Sequence, residues 1–317
     1  NQRANLSVSG GGSVAKYYVA GAFNQDNGVL KVDQRNNFNS NIKLKNYSLR
    51  SNVNVNLTKS TEMIIRLSGN FDDYTGPVDG GTAMYRRVMR TYPVLFPATY
   101  PVDEDHQFVK HIMFGNALDG YYLNPYADMV SGYKDYSRSS MVAQFEVKQD
   151  LSMLTQGLSF RTMLNTTRGA FFDVSRTYSP FFYQMGQYNR RENTYRVNVI
   201  NPDGGTDFLT YFPGEKTINS SFYMESALNY TRDFNKHTLS GLLVSIMRES
   251  LTANAPTLQE SLPFRNLGLS GRATYSYDNR YFAEFNFGYN GTERFYEDHR
   301  FGFFPAAGVA WSISNEA

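Results

Sequence analysis

The stretch Asn266-Leu267-Gly268-Leu269-Ser270-Gly271-Arg272-Ala273-Thr274-Tyr275-Ser276-Tyr277, then Asp278-Asn279-Arg280, then Tyr281-Phe282-Ala283-Glu284-Phe285-Asn286-Phe287-Gly288-Tyr289-Asn290, decides how the rest of the chain is read. Leu267, Leu269, Gly271, Ala273, Tyr275 and Tyr277 alternate with a polar set, and Tyr281, Ala283, Phe285, Phe287 and Tyr289 repeat the pattern. Successive side chains of a strand point to opposite faces, so each segment predicts a strand with one apolar and one wet face. The second apolar row has tyrosines at both ends and phenylalanines between them. Phenol rings at two interfaces, with hydrocarbon-soluble rings at mid-depth, fit a strand that crosses a bilayer. Opposed residues of a hairpin share a face, and a two-residue loop would set Tyr275 against Phe282 and mix the rows. A loop over 278–280 is therefore expected, with Tyr277 facing Tyr281 and Asn279 or Arg280 in the left-handed conformation.

The same alternation recurs outward from this hairpin. It predicts strands near 2–10, 15–24, 46–58, 62–72, 139–151, 157–169, 219–231, 237–250, 266–277, 281–291 and 299–313. Most are close to the roughly 9–11 residues that a tilted membrane-crossing strand needs, beyond the roughly 5–6 of ordinary globular strands. Connectors alternate short and long: 10–14, 58–61, 154–157, 232–236 and 278–280 are tight, whereas 25–45, 73–138, 170–219 and 250–265 are longer. An up-and-down meander with one trimmed and one elaborated rim has this signature, as outer-membrane barrels do with short periplasmic turns and longer extracellular loops. The inner rows are expected to carry Asn52, Asn54, Arg66, Glu146, Lys148, Arg161 and Arg272, costly against lipid but at ease beside a wet or plugged interior. Within 237–247 both rows contain apolar residues, which predicts a bulge. The fold class expected is all-β, a partial antiparallel transmembrane barrel of about eleven long strands. Eleven is odd, and an open sheet would leave unpaired backbone edges in lipid, so residues 1–317 read as part of a larger barrel.

Composition narrows the classes. Aromatics make up 15% of the 317 residues, with 24 Tyr and 24 Phe against one Trp. No run approaches the ~18 apolar residues of a membrane helix. A mean hydropathy of −0.48 is compatible with a barrel, because only alternate strand residues meet lipid. A net charge of +2 without a basic stripe argues against nucleic acid as a partner. Without cysteine there is no disulfide, thiolate metal site or cysteine nucleophile. Asn1 opens almost directly into a strand with no signal peptide, so the chain is expected to be a fragment of a longer envelope protein.

The segment 73–138 is the expected functional loop, since loops above ~12–15 residues are usually functional or disordered. Within it, 82–92 predicts a short helix with Thr82 as N-cap and Pro93 as its stop. Tyr92, Tyr100, Tyr121, Tyr122 and Tyr126 offer flat faces and hydroxyls suited to sugar rings or peptide groups; packing of the loop on itself is the commoner use of any one such ring. Asp103-Glu104-Asp105-His106 does not match the calcium loop and reads as a solvated acidic turn. The four histidines, His106, His111, His237 and His299, contain no HExxH pair, so no metal site is expected. Gly10-Gly11-Gly12-Ser13 lacks the ending of a P-loop and reads as a turn. No nucleophile elbow occurs, and seven Asn-x-Ser/Thr triplets, mostly on predicted strands, read as chance in an Asn-rich chain. Arg86, Arg87, Arg90, Arg190 and Arg191 form basic clusters in the long loops, facing anionic groups or simply solvated.

Several stretches carry a family resemblance. Tyr277-Asp278-Asn279-Arg280-Tyr281, Asn290-Gly291-Thr292-Glu293-Arg294-Phe295, Gly302-Phe303-Phe304-Pro305 and Trp311-Ser312-Ile313-Ser314 resemble the SusC/RagA family of TonB-dependent outer-membrane transporters of Bacteroidetes-type bacteria. Asn5 to Gly11 with Lys16-Tyr17-Tyr18 and Asp26-Asn27-Gly28 is similar to the start of that family's barrel, and Leu228-Asn229-Tyr230, Phe234 and Lys236-His237 to a mid-barrel hairpin. One departure stands out: the family usually reads Arg, one residue, then Asp-Gly-Ser-Ser-Arg-Phe where this chain has Tyr289-Asn290-Gly291-Thr292-Glu293-Arg294-Phe295, altering the loop's charge pattern. The resemblance implies about the first half of a barrel, without its plug domain and C-terminal strands. It further implies a SusD-like surface lipoprotein on the long loops, energy delivered by TonB through the plug, and import of an oligosaccharide or, less often, a peptide, with no enzymatic step and no cofactor. Rivals are a siderophore or cobalamin receptor, a passive porin, and a soluble all-β glycan-binding module or enzyme, which would need both faces of its sheet covered.

Overall fold

In the computed structural model, which describes residues 1–316, antiparallel pairing runs unbroken from the first strand to the last. The strands are β1 (Gln2–Gly11), β2 (Ala15–Asn27), β3 (Lys43–Asn56), β4 (Thr61–Gly76), β5 (Phe114–Gly115), β6 (Gly132–Asp150), β7 (Leu158–Thr177), β8 (Phe182–Asn189), β9 (Thr194–Val199), β10 (Thr210–Phe234), β11 (His237–Thr252), β12 (Phe264–Tyr277), β13 (Tyr281–Thr292) and β14 (Phe301–Trp311). Eleven form one sheet in the order β1-β2-β3-β4-β6-β7-β10-β11-β12-β13-β14; β5, β8 and β9 form a separate small sheet. The large sheet is a meander and is not closed, the geometry of a partial barrel.

Register explains why the sheet has two chemically distinct faces. Tyr17, Val53, Ile65, Phe145, Leu164, Met224, Met247 and Leu267 lie on one crosswise line of paired residues. One residue along each strand, the line reads Lys16, Asn54, Ile64, Glu146, Met163, Glu225, Ile246 and Gly268. A slip of one residue at any ladder would exchange the two sets, so preservation of register across the sheet keeps every apolar row on one side. Leu6, Leu67, Phe285 and Val309 on that side are exposed, whereas Ile64 and Glu146 on the other are buried, as on the inside of a curved sheet. All seven polar residues expected on the inner rows lie on the inner face.

The hairpin of β12 and β13 pairs Tyr277 with Tyr281. Its left-handed residues are Asp278 (φ 50) and Asn279 (φ 53), not Arg280. Tyr281 also stacks on Trp311 at 6.4 Å and 9°, and on Tyr277 at 6.5 Å and 24°, so aromatic rings line the short-turn rim. At the turn before β7, Gly157 has φ +86, and a Cβ there would collide with the Thr231 carbonyl.

Three expectations are corrected. No bulge occurs in β11, whose pairing with both neighbours is continuous; the inner-row Leu242, Val244 and Ile246 simply face inward. The register shift falls instead between Pro213 and Lys216 in β10. Pro213 has no N–H for the ladder, and the Glu215 N–H donates to Asp173 Oδ1 (2.5 Å) instead. Helix α1 (Gly80–Arg90) begins before Thr82, with Asp79 at the N-cap position and Thr91 closing it, so Thr82 lies inside the helix. Third, β6, β7 and β10 reach 19, 20 and 25 residues, longer than the alternation indicated. Their upper ends (132–138, 170–177 and 210–218) carry Tyr, Arg, Lys and Asp on both rows, because they rise beyond the apolar band and lose its pattern. The connectors between strands of the large sheet are consequently 77–131 and 178–209. No helix among the described residues is long and apolar enough to cross a membrane.

Candidate functional site

The long connectors fold into a cap with cores of its own. β5 and β8 pair in parallel and β8 pairs with β9, which joins 77–131 to 178–209. Tyr100, Met113, Tyr183 and Val197 form one buried cluster; Ile112, Phe114, Ala127 and Val130 form a second, against α2 (Pro125–Val130). Two buried asparagines hold the chain path. Asn124 accepts from the N–H groups of Tyr126 and Ala127 (both 3.1 Å) and donates to the carbonyls of Ala98 (2.9 Å) and Gly115 (2.7 Å). Asn116 donates to the Tyr122 carbonyl (2.8 Å) and accepts from Ala117 N–H (2.8 Å). Burying such groups unbonded would cost several kcal/mol, and here each is satisfied.

A third connector, 28–42, is strapped to this cap by a charged network. Asp33 accepts two guanidinium bonds from Arg35 (2.9 and 2.7 Å) and the hydroxyl of Tyr126 (2.7 Å). The Arg35 bonds outweigh the burial that opposes them and hold the Asp33 carboxyl down at about 2. Burial and the Asp33 bond push the Tyr126 phenol up to about 12. Asn36 Nδ2 donates to the Val130 carbonyl at 2.7 Å. On the opposite flank, His111 stacks on Phe181 (4.0 Å, 20°), with Nε2 2.8 Å from the Tyr183 hydroxyl and Nδ1 3.4 Å from Asp207. Burial pushes its pKa down, against the pull of Asp207.

The five loop tyrosines therefore separate. Tyr100 is 5% exposed and belongs to the cap core. Tyr126 is half-buried, its hydroxyl committed to Asp33. Tyr121 is 86% exposed, and Tyr92 packs edge-on against Tyr122 (6.3 Å, 87°) with its own ring mostly open. Tyr92 and Tyr121 thus keep open rings, whereas Tyr122 is half-buried, with Tyr92 and the buried Phe96 each 6.3 Å from it. Of the five loop arginines, Arg87 is paired with Asp79 (2.5 Å) and Asp128 (3.2 Å). Asp103 accepts from His106 N–H (2.9 Å) and contacts its Nδ1 (2.5 Å), capping a single turn. Among the described residues no group of three His, Asp or Glu side chains is placed to hold a metal.

Below the cap, the inner face carries an ionic ladder across neighbouring strands. Glu146 meets Arg161 at 2.8 Å, Arg161 meets Glu225 at 2.9 Å, and the Tyr223 hydroxyl donates to Glu225 at 2.6 Å. Lys148 lies 3.5 Å from Glu62, which accepts from Asn54 Nδ2 at 3.0 Å. A cavity of about 970 Å³ opens beside this ladder at the short-turn end, lined among others by Glu62, Lys148, Arg161 and Asn229. What these parts can do is hydrate, sort by charge and guide. The sequence flagged Glu146, Lys148 and Arg161 through alternation; Asp33, Arg35 and His111 carried no local signal, because their partners come from other connectors.

No family model matches the chain. It is 24% identical over 331 residues to the TonB-dependent receptor P3 of Formosa agariphila, covering 98% of this chain and 30% of that protein. TonB-dependent receptor P39 of the same organism is 25% identical, covering 99% and 28%. The chain thus spans under a third of the length of these curated relatives. Among solved structures, that of the RagAB peptide transporter aligns with a TM-score of 0.56 at 14% identity, covering 99% of this chain and 34% of the other. The RagAB peptide importer in its closed-closed state gives the same TM-score at 16% identity. Along nearly its whole length the chain is thus similar in sequence to TonB-dependent receptors, and its two-faced meander shares its fold with part of the RagAB barrel.

Proposed function

We propose that these residues form part of the wall of a TonB-dependent importer in a bacterial outer membrane, moving a bulky nutrient inward without changing it chemically. The observation that carries this reading is the register, continuous below the Pro213–Lys216 shift, which puts an apolar row of each of the eleven strands on one face and the charged ladder on the other. In lipid, both edges of the sheet must be paired, so further strands close the barrel. The tight turns lie at the periplasmic rim. The cap of 77–131 and 178–209 stands outside the cell, where a SusD-like lipoprotein docks and Tyr92 and Tyr121 meet arriving cargo. A plug within the closed barrel receives the pull of TonB. An oligosaccharide is the cargo that exposed ring faces favour. A peptide is the second class, supported by the name of the RagAB peptide transporter, whose barrel the sheet resembles.

The test is uptake by intact cells carrying the full-length receptor. Accumulation of a fluorescent oligosaccharide should stop when TonB or the receptor is deleted and resume when each is restored. Uptake that persists without TonB would mark a passive pore and overturn the proposal.

A further inference from the structure

The inner face of the last four strands carries a cavity of about 510 Å³ set apart from the ladder, near the longer connectors. It is lined by Arg248 on β11, Asn266 on β12, Asn290 on β13, Phe304 on β14, and His299 and Arg300 from the connector between β13 and β14. Its charge is one-sided. No carboxylate lines it, and neither Arg248 nor Arg300 is in an ion pair among the described residues. The carboxylates around it are engaged elsewhere: Glu249 and Glu293 with Arg265, Glu225 with Arg161, Glu284 with Arg272. Glu297 and Asp298, in the same connector as His299, do not reach the cavity wall. Arg248 instead lies over the Tyr223 ring, 5.6 Å from its centroid, which steadies the guanidinium without neutralising it.

The floor is shaped as well as charged. Gly268 on β12 stands beside Asn290, and a Cβ at Gly268 would come within 2.7 Å of Asn290 Oδ1. Glycine at that point leaves the Asn290 amide open to the cavity. β12 and β13 are each paired on both sides, so their backbone groups are used within the sheet and recognition falls to side chains. Two amides that both donate and accept, a Phe ring and two fork-shaped cations suit hydroxyls and an acid group better than the backbone of a peptide.

Resting on the import reading above, we propose that this cavity is a subsite for an acidic oligosaccharide, with Arg248 and Arg300 holding a carboxylate or sulfate and Asn266 and Asn290 the neighbouring hydroxyls. The test is calorimetric titration of the detergent-solubilised full-length receptor with tri-galacturonate, a sulfated galactose trisaccharide, neutral maltotriose and tri-glutamate. At least one acidic saccharide should bind more tightly than maltotriose, with affinity that falls as salt rises, and the R248Q/R300Q pair should weaken it at least tenfold, remove the salt dependence and cost maltotriose far less. Which acidic saccharide responds separates carboxylate from sulfate. If the double variant does not fold, N290D, which sets a carboxylate against the same arginines, should weaken the acidic saccharide several-fold more than it weakens maltotriose. Failure of both acidic saccharides to bind, equal loss for acidic and neutral saccharides, or tri-glutamate as the preferred ligand would each overturn the proposal. TonB-dependent uptake of a neutral cargo alongside such a failure would leave the import reading standing.

Discussion

Placing an arginine on either side of one point in β4 tests the assignment of faces. Leu67 belongs to the apolar row and is 46% exposed; Ser68, its neighbour, points inward. β4 starts at Thr61 on the short-turn side, so Leu67 lies six steps up the strand. At about 3.3 Å per residue and a tilt near 45°, that is roughly 14 Å of height, close to the middle of an apolar band about 25 Å tall. A lipid-facing arginine at mid-depth costs about 2–4 kcal/mol, whereas one facing a wet interior costs close to nothing. L67R should therefore shift the folding equilibrium by roughly 30- to 1,000-fold and S68R should leave it nearly unchanged. The assay is urea-dependent folding of the full-length receptor into lipid vesicles, read by the mobility difference between folded and heat-denatured barrel. Tolerance of L67R equal to that of S68R, or the reverse order, would refute the assignment and with it the bilayer reading of every row.

Three further outcomes follow from the same geometry. R161L strips the buried Glu146 of its partner; because Arg161 is itself two-fifths exposed, the loss should be about 1–3 kcal/mol in that folding assay, and E146Q/R161L should recover part of it. Asp33 titrates at about 2 in the folded cap against about 4 in an unfolded chain, so its contribution is full above the unfolded value and is lost as pH falls through the folded one. With solvent screening at Arg35 allowed for, that contribution is about 1–2 kcal/mol, and D33N should lower the hydrogen-exchange protection of 28–42 at pH 7, with intrinsic rates divided out, toward that of the native chain near pH 2. Y100A, which empties a cap-core position, should cost about 3–5 kcal/mol of cap stability by local hydrogen exchange, whereas Y121A should leave exchange unchanged and lower only oligosaccharide uptake.

The alternation of residues such as Tyr281, Phe285, Phe287 and Tyr289 was enough to specify the strands of the large sheet, their faces and the three-residue turn at 278–280. A period of two is a property of one strand alone, and lipid imposes it wherever that strand meets hydrocarbon. The signal stopped where the apolar rows end. The upper ends of β6, β7 and β10 and the small β5-β8-β9 sheet were hidden because both their faces meet polar or protein surroundings. Tyr92, Tyr100, Tyr121, Tyr122 and Tyr126 looked alike as sequence, and only the folded cap divided them into core, strap and open faces. Arg248, Asn290 and Arg300 were likewise ordinary strand and loop residues until pairing across three ladders set them around one cavity. Local spacing is written along one strand, but a site assembled from separate strands exists only once their register is fixed.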